Sequence, residues 1–213
     1  NPKTNPKVIT LSVGGNDAGF AERLAYCILP NKCAPATPNN TDARSIVAIE
    51  LANLKDRLQT TYTSIKRAAP ESRVYVIGYP QFVSLQSTCG VNASGLDSDE
   101  RIFIRETVSY FNRVIASAAA EAGVTYVDVE DILEYNNLCS GSLDTDTWVN
   151  GATFGDDIPD IRGKMSFLRI LGNESFHPNE KAQSQYASAI LLKTSNLTAP
   201  MPTATKTPLP IPN

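Results

Sequence analysis

Val8-Ile9-Thr10-Leu11-Ser12-Val13-Gly14-Gly15-Asn16-Asp17 is the stretch on which the fold turns. A short apolar run, cut off by two glycines and two turn formers, is the pattern of a strand buried on both faces that ends in a sharp turn. Val74-Tyr75-Val76-Ile77 and Val124-Thr125-Tyr126-Val127 have the same character. Helical patterns lie between them. Val47, Leu51, Leu54, Leu58, Tyr62 and Ile65 step by three and four, which predicts a helix over about 42–69. Ile104, Val108, Phe111 and Ile115 repeat that spacing over about 98–122, with Asp97 and Glu100 as a capping box and Gly123 placed to end the helix. A last helix is expected after His177, with Pro178 at its first position and Ala182, Tyr186 and Ile190 facing inward. Strand, helix, strand, helix, strand, helix implies right-handed crossovers and an α/β fold, a parallel sheet covered by helices on both faces.

Composition narrows the rest. The chain has 213 residues, 42% hydrophobic and 19% charged, with a net charge of −3. That is enough apolar material for a core, which excludes wholesale disorder. No basic stripe is present, so a nucleic-acid partner is not expected. No apolar run approaches the roughly 20 residues that span a bilayer. His177 is the only histidine, so sites built from two or three imidazoles of one chain are impossible. Cys27, Cys33, Cys89 and Cys139 contain no C-x-x-C element, and two disulfides in an oxidising compartment is the simplest reading. Sequons at Asn39, Asn92, Asn173 and Asn196 fit export weakly. From Pro200 onward five of 14 residues are proline, which predicts an extended linker or tail. The segment of about 140–176 lacks periodicity and reads as a long irregular loop, a place where function often resides.

Two stretches could carry chemistry. Gly14-Gly15-Asn16-Asp17 follows a strand, and ligands of open α/β sheets bind beyond the carboxyl ends of strands. An asparagine amide there is a neutral donor suited to a developing oxyanion; the ordinary reading is a strand-to-loop turn. Glu174-Ser175-Phe176-His177-Pro178-Asn179 contains the one side chain whose unperturbed pKa suits proton transfer near neutral pH. A carboxylate three residues earlier could fix its tautomer; the ordinary reading is a structural residue at a helix start.

Together, Gly-x-Asn-Asp after a strand and a late His-Pro opening the last helix resemble the SGNH hydrolases, also called GDSL esterases and lipases. Leu11 to Phe20, Gly78-Tyr79-Pro80, Gly123 to Val129, Trp148-Val149-Asn150-Gly151 and Ser175 to Asn179 carry the likeness, which is strongest to the secreted, disulfide-bearing branch. The resemblance implies a three-layer flavodoxin-like sheet, carboxylic ester hydrolysis through an acyl-enzyme, no cofactor and no metal. It implies Asn16 as oxyanion donor, His177 as general base, and Glu174 as its orienter by side chain or backbone carbonyl. Glu174 stands where the family usually has aspartate. The resemblance further implies binding roles for Gly14, Gly15 and Trp148, with Trp148 and Phe154 either lining the substrate pocket or covering the core. By the branch's pattern Cys27 pairs with Cys33 and Cys89 with Cys139, and the protein is secreted.

The family's Gly-Asp-Ser nucleophile block is not found in these 213 residues. Gly155-Asp156-Asp157 has aspartate where serine should stand, and Ser140 and Ser142 suit a disulfide-anchored turn. The expectation is therefore that residues 1–198 are the C-terminal part of the hydrolase domain, with its N-terminal strands missing from this chain, and 199–213 a Pro/Thr-rich tail. The serine is expected from an upstream segment or a companion chain, and residues 1–213 are not expected to fold stably alone. The substrate would be a lipid, acylated small molecule or glycan ester. Two other readings stay open: a binding module without a nucleophile, and a carbohydrate deacetylase of the same fold.

Overall fold

Strand β1 (Val8–Leu11), β2 (Arg73–Ile77) and β3 (Thr125–Val127) form one parallel sheet in the order β1-β2-β3. Register pairs Ile9 with Val74 and Leu11 with Val76, then Val76 with Tyr126 and Ile77 with Val127. The structure is a computed structural model that describes residues 6–19, 43–86, 89, 96–140, 146–151 and 176–195. Helix α1 (Ala43–Ala68) crosses from β1 to β2, α2 (Ser98–Ala122) from β2 to β3, and α3 (Glu180–Ser195) follows late in the chain.

The apolar stripes read from the sequence are the buried ones. Val47, Leu51, Leu54, Leu58 and Tyr62 of α1 pack with Phe111, Val114, Ile115 and Ala118 of α2 over Val76 of β2. Because strand side chains alternate, Tyr75 and Ile77 point to the other face, where Tyr186, Ala189 and Ile190 of α3 pack against them with Val127 and Val129. Two crossovers running in one direction put α1 and α2 on the same face, and α3 supplies the opposite layer. The three-layer α/β architecture follows.

Local sequence sets the ends of α2. Asp97 accepts from the Glu100 amide at 2.9 Å, and the Glu100 carboxylate accepts from the Asp97 amide at 2.9 Å, a reciprocal capping box. Gly123 closes the helix in the left-handed conformation at φ 65°, its amide reaching the last-turn carbonyls. The start of α3 differs from expectation. Pro178 lies before the helix, bridged to Val149, and Asn179 caps it by accepting from the amides of Lys181 and Ala182 at 3.1 and 3.3 Å. An asparagine side chain can satisfy two orphan amides, which the fixed ring of proline cannot.

β1 is less well covered than β2. Its burial alternates between exposed and intermediate, whereas four of the five β2 residues are buried. Val8 and Val13 are exposed at 39% and 36%, and no strand among the described residues pairs with the second edge of β1.

Candidate active site

The segments that follow β1, β2 and β3 are linked at the carboxyl ends of the strands through Gly15, Tyr79 and Glu130. After β1, Gly14 takes φ 108°, a conformation that side-chain-bearing residues avoid, while its carbonyl accepts from the Ala18 amide at 2.9 Å. A Cβ on Gly14 would sit 3.0 Å from Phe111 and 3.1 Å from Leu58, so the turn lies flat on the core. The next link is the Gly19 amide donating to the Asn16 carbonyl at 3.0 Å. Asn16 is thereby held in a tight turn with its side chain exposed and making no hydrogen bond to another described residue. Asp17 pairs with Arg57 at 2.6 Å on the exposed surface of α1.

After β2, Tyr79 receives the first turn. Its phenol oxygen accepts from the Gly15 amide at 3.0 Å, and a Cβ on Gly15 would come within 2.9 Å of that oxygen, so only glycine allows this approach. The Tyr79 ring stacks on Phe111 with centroids 5.2 Å apart. Its backbone is gripped on both sides by Asn112: the Tyr79 amide donates to Asn112 Oδ1 at 2.8 Å, and Asn112 Nδ2 donates to the Tyr79 carbonyl at 2.7 Å. Asn112 Nδ2 also donates to Glu130 Oε2 at 3.0 Å. Glu130 follows β3 and accepts further from Gln81 Nε2 at 3.0 Å and from the Ser109 hydroxyl. Burial pushes the Glu130 carboxyl upward, but the hydrogen bonds from Ser109, Asn112 and Gln81 and the nearby Arg113 charge outweigh it, so Glu130 ionises more readily than an ordinary glutamate.

A further segment, just before α3, carries His177. Arg105 and Arg101 of α2 donate to the carbonyls of Val83 and Ser84, each at 2.9 Å. Val83 bridges Leu138, and Cys139 beside it is joined to Cys89 by a disulfide. From there the Trp148 amide donates to the Asn136 carbonyl at 2.7 Å, and the Asn150 amide to the His177 carbonyl at 2.9 Å. The Phe176 amide returns to the Asn150 carbonyl at 3.1 Å, and the Phe176 ring sits 6.3 Å from that of Phe82. Phe176 itself is left-handed at φ 61°, a conformation costly outside glycine and kept here by bonds on both sides. His177 is exposed, one residue before the bridge from Pro178 to Val149.

The structure thus joins Gly15 to Tyr79, and His177 to Asn150. Trp148 is partly buried against the cluster of Phe82, Val83, Leu138 and Val149 that also holds Phe176. Of the two cysteine pairs, Cys89–Cys139 is formed as the resemblance implied. Cys27, Cys33, Phe154 and Glu174 lie outside the described residues. Sequence reading assigned no role to Tyr79, Asn112 or Glu130. Asn112 did carry a signal, being a polar residue four positions after Val108 on the buried stripe of α2.

Residues 1–184 match the GDSL-like lipase/acylhydrolase family, and the chain belongs to it. It is 35% identical to Lipase 1 of Streptomyces coelicolor over 177 residues, covering 83% of this chain and 56% of that protein. It is 29% identical to a lipase of Streptomyces rimosus over 178 residues, covering 84% and 56%. The chain therefore spans little more than half the length of these relatives. Among solved structures, phospholipase A1 from Streptomyces albidoflavus is similar with a TM-score of 0.65 and 28% identity, over 90% of this chain and 71% of that one. The extracellular lipase from Streptomyces rimosus gives 0.57 and 26%, over 86% and 68%.

Proposed function

We propose that residues 1–198 are the C-terminal part of a secreted serine ester hydrolase, carrying its general base and one oxyanion donor, with residues 199–213 as a linker or tail. The observation that carries this reading is the exposed Asn16 amide, which makes no hydrogen bond to another described residue and stands in a tight turn after β1, in a chain of the lipase/acylhydrolase family. A serine hydroxyl attacks the ester carbonyl while His177 takes its proton. The Asn16 amide donates to the oxyanion that forms, and His177 returns the proton to the leaving alcohol. Water then attacks the acyl-enzyme, with His177 again as base. Glu174 orients the imidazole by carboxylate or carbonyl. Gly14 and Gly15 let the turn that carries Asn16 lie against Leu58, Phe111 and Tyr79, and Trp148 lines the approach of the acyl group.

The serine comes from a segment upstream of these residues or from a companion chain. The under-covered β1 supports this: an apolar strand with exposed Val8 and a second edge that no described strand pairs is the kind of edge that recruits another strand. Secretion is supported by the Cys89–Cys139 disulfide and by the extracellular relative. Among the described residues no helix is long and apolar enough to cross a membrane.

The test is intact-mass analysis of the full-length protein after exposure to a fluorophosphonate probe. An adduct on a serine outside residues 1–213 is the expected result. An adduct within them would redraw the site. No adduct, together with ester binding that survives His177→Ala, would favour a binding module in place of an enzyme.

A further inference from the structure

We propose that Tyr79 is a positioning residue for the Asn16 donor: its phenol oxygen holds the Gly15 peptide and so fixes where the Asn16 amide points. The inference rests on the hydrolase reading above. Among the described residues, two side chains bond to the Gly14–Asp17 turn from elsewhere in the molecule. One is the Arg57–Asp17 pair, whose side chains are 70% and 45% exposed; pairs of that kind hold little in water. The other is the part-buried bond from the Gly15 amide to Tyr79, made across 64 positions of sequence to the residue just before Asn16.

Everything around Tyr79 serves to keep that oxygen still. The ring is stacked on the fully buried Phe111. Both polar groups of its peptide environment are taken by the one buried amide of Asn112, whose second N–H is anchored on Glu130. That carboxylate fixes the sense of the amide, because an acceptor at Glu130 requires Asn112 to present nitrogen there and oxygen to the Tyr79 N–H. Close approach is provided for at two glycines. A Cβ on Gly15 would meet the phenol at 2.9 Å, and one on Gly78 would meet Asn112 Oδ1 at 2.8 Å. Tyr79 also packs against both principal core clusters, the one under the Asn16 turn and the one holding Trp148 and Phe176. With α2, it ties the cluster under the Asn16 turn to the one that holds Phe176. A strand-end turn needing only stability would be served by burial; a phenol aimed at one amide serves geometry.

Tyr79→Phe in the full-length protein keeps the ring and its stacking and removes the one oxygen. Misplacing a catalytic group by a fraction of an ångström is costly, so kcat for a short acyl ester should fall about tenfold with KM within about twofold. Amide exchange at Gly15 should quicken. On an Asn16→Ala background the same change should leave kcat nearly unaltered, because a residue that acts through Asn16 has nothing left to position. Equal kcat for wild type and Tyr79→Phe, unchanged exchange at Gly15, or the same loss on both backgrounds would overturn the positioning role while leaving the hydrolase reading intact. A wild-type protein that turns over no ester would overturn both.

Discussion

Replacing Cys89 and Cys139 together by alanine tests whether the His177 segment depends on a covalent clip. The disulfide joins positions 50 residues apart. Opening a loop of that size releases enough conformational freedom in the unfolded chain to lower stability by about 4 kcal/mol on the chain-entropy account. Lost packing adds little, since alanine fills most of the volume of a half-cystine. The loss should also be uneven. Leu138 donates to the Phe82 carbonyl at 2.9 Å and accepts from Ser84 at 2.7 Å, and Asn136 holds Trp148, which stands two residues before the partner of His177. All of these hang on the clipped turn, which packs with Ile104 and Val108 of α2, whereas α1 packs in a separate cluster. Denaturant titration of the full-length oxidised protein against the double variant should show a lower midpoint at similar slope. Hydrogen exchange should quicken first in residues 136–139, 148–150 and 176–179. A loss below about 1 kcal/mol would refute the loop-entropy magnitude, and exchange that quickens equally in α1 would refute the dependence of the histidine segment on the clip.

Three further outcomes are expected. Asp97→Ala removes one arm of the capping box and should cost about 1–2 kcal/mol of stability, most of it restored in Asp97→Asn, as read from urea midpoints. Glu130, ionising below the ordinary 4.5, contributes stability that is present above that pH and lost as pH falls through its folded value. Glu130→Gln should therefore flatten the acid limb of a melting-temperature profile below about pH 4.5, and an unchanged limb would place the acid sensitivity elsewhere. Asn16→Ala in the full-length protein should lower kcat by about 10²–10³-fold with little change in KM, and a purely KM effect would remove Asn16 from the oxyanion site.

Much of the fold was legible because the deciding signals are local and periodic. The stripe from Val47 to Tyr62 could face only one way on a helix, and the structure buries it there. Asp97, Glu100 and Gly123 bound α2 by interactions within a few residues of sequence. Pro178 misled because its preference for a first helical turn competes with Asn179, which satisfies two amides, and with the bridge to Val149, a partner no local pattern reveals. The candidate site divides the same way. Gly14, Gly15, Asn16 and His177 stood out by residue type and by position after a strand or before a helix. What holds the first of them did not, because Gly15, Tyr79, Asn112 and Glu130 are dispersed over more than a hundred positions and meet only when three strand ends come side by side.

By itself, then, the sequence determined the order of strands and helices, which faces are apolar, where α2 starts and stops, and which few polar residues are candidates for chemistry. Tertiary structure alone decided that a tyrosine after β2 receives the amide of a turn after β1, and that one carboxylate after β3 orients the asparagine that grips it. The physical reason is range. Periodicity, caps and turns are set by neighbours within about one or two helical turns. A hydrogen bond between side chains far apart in sequence has no local energetic trace until packing brings its donor and acceptor within 3 Å of each other.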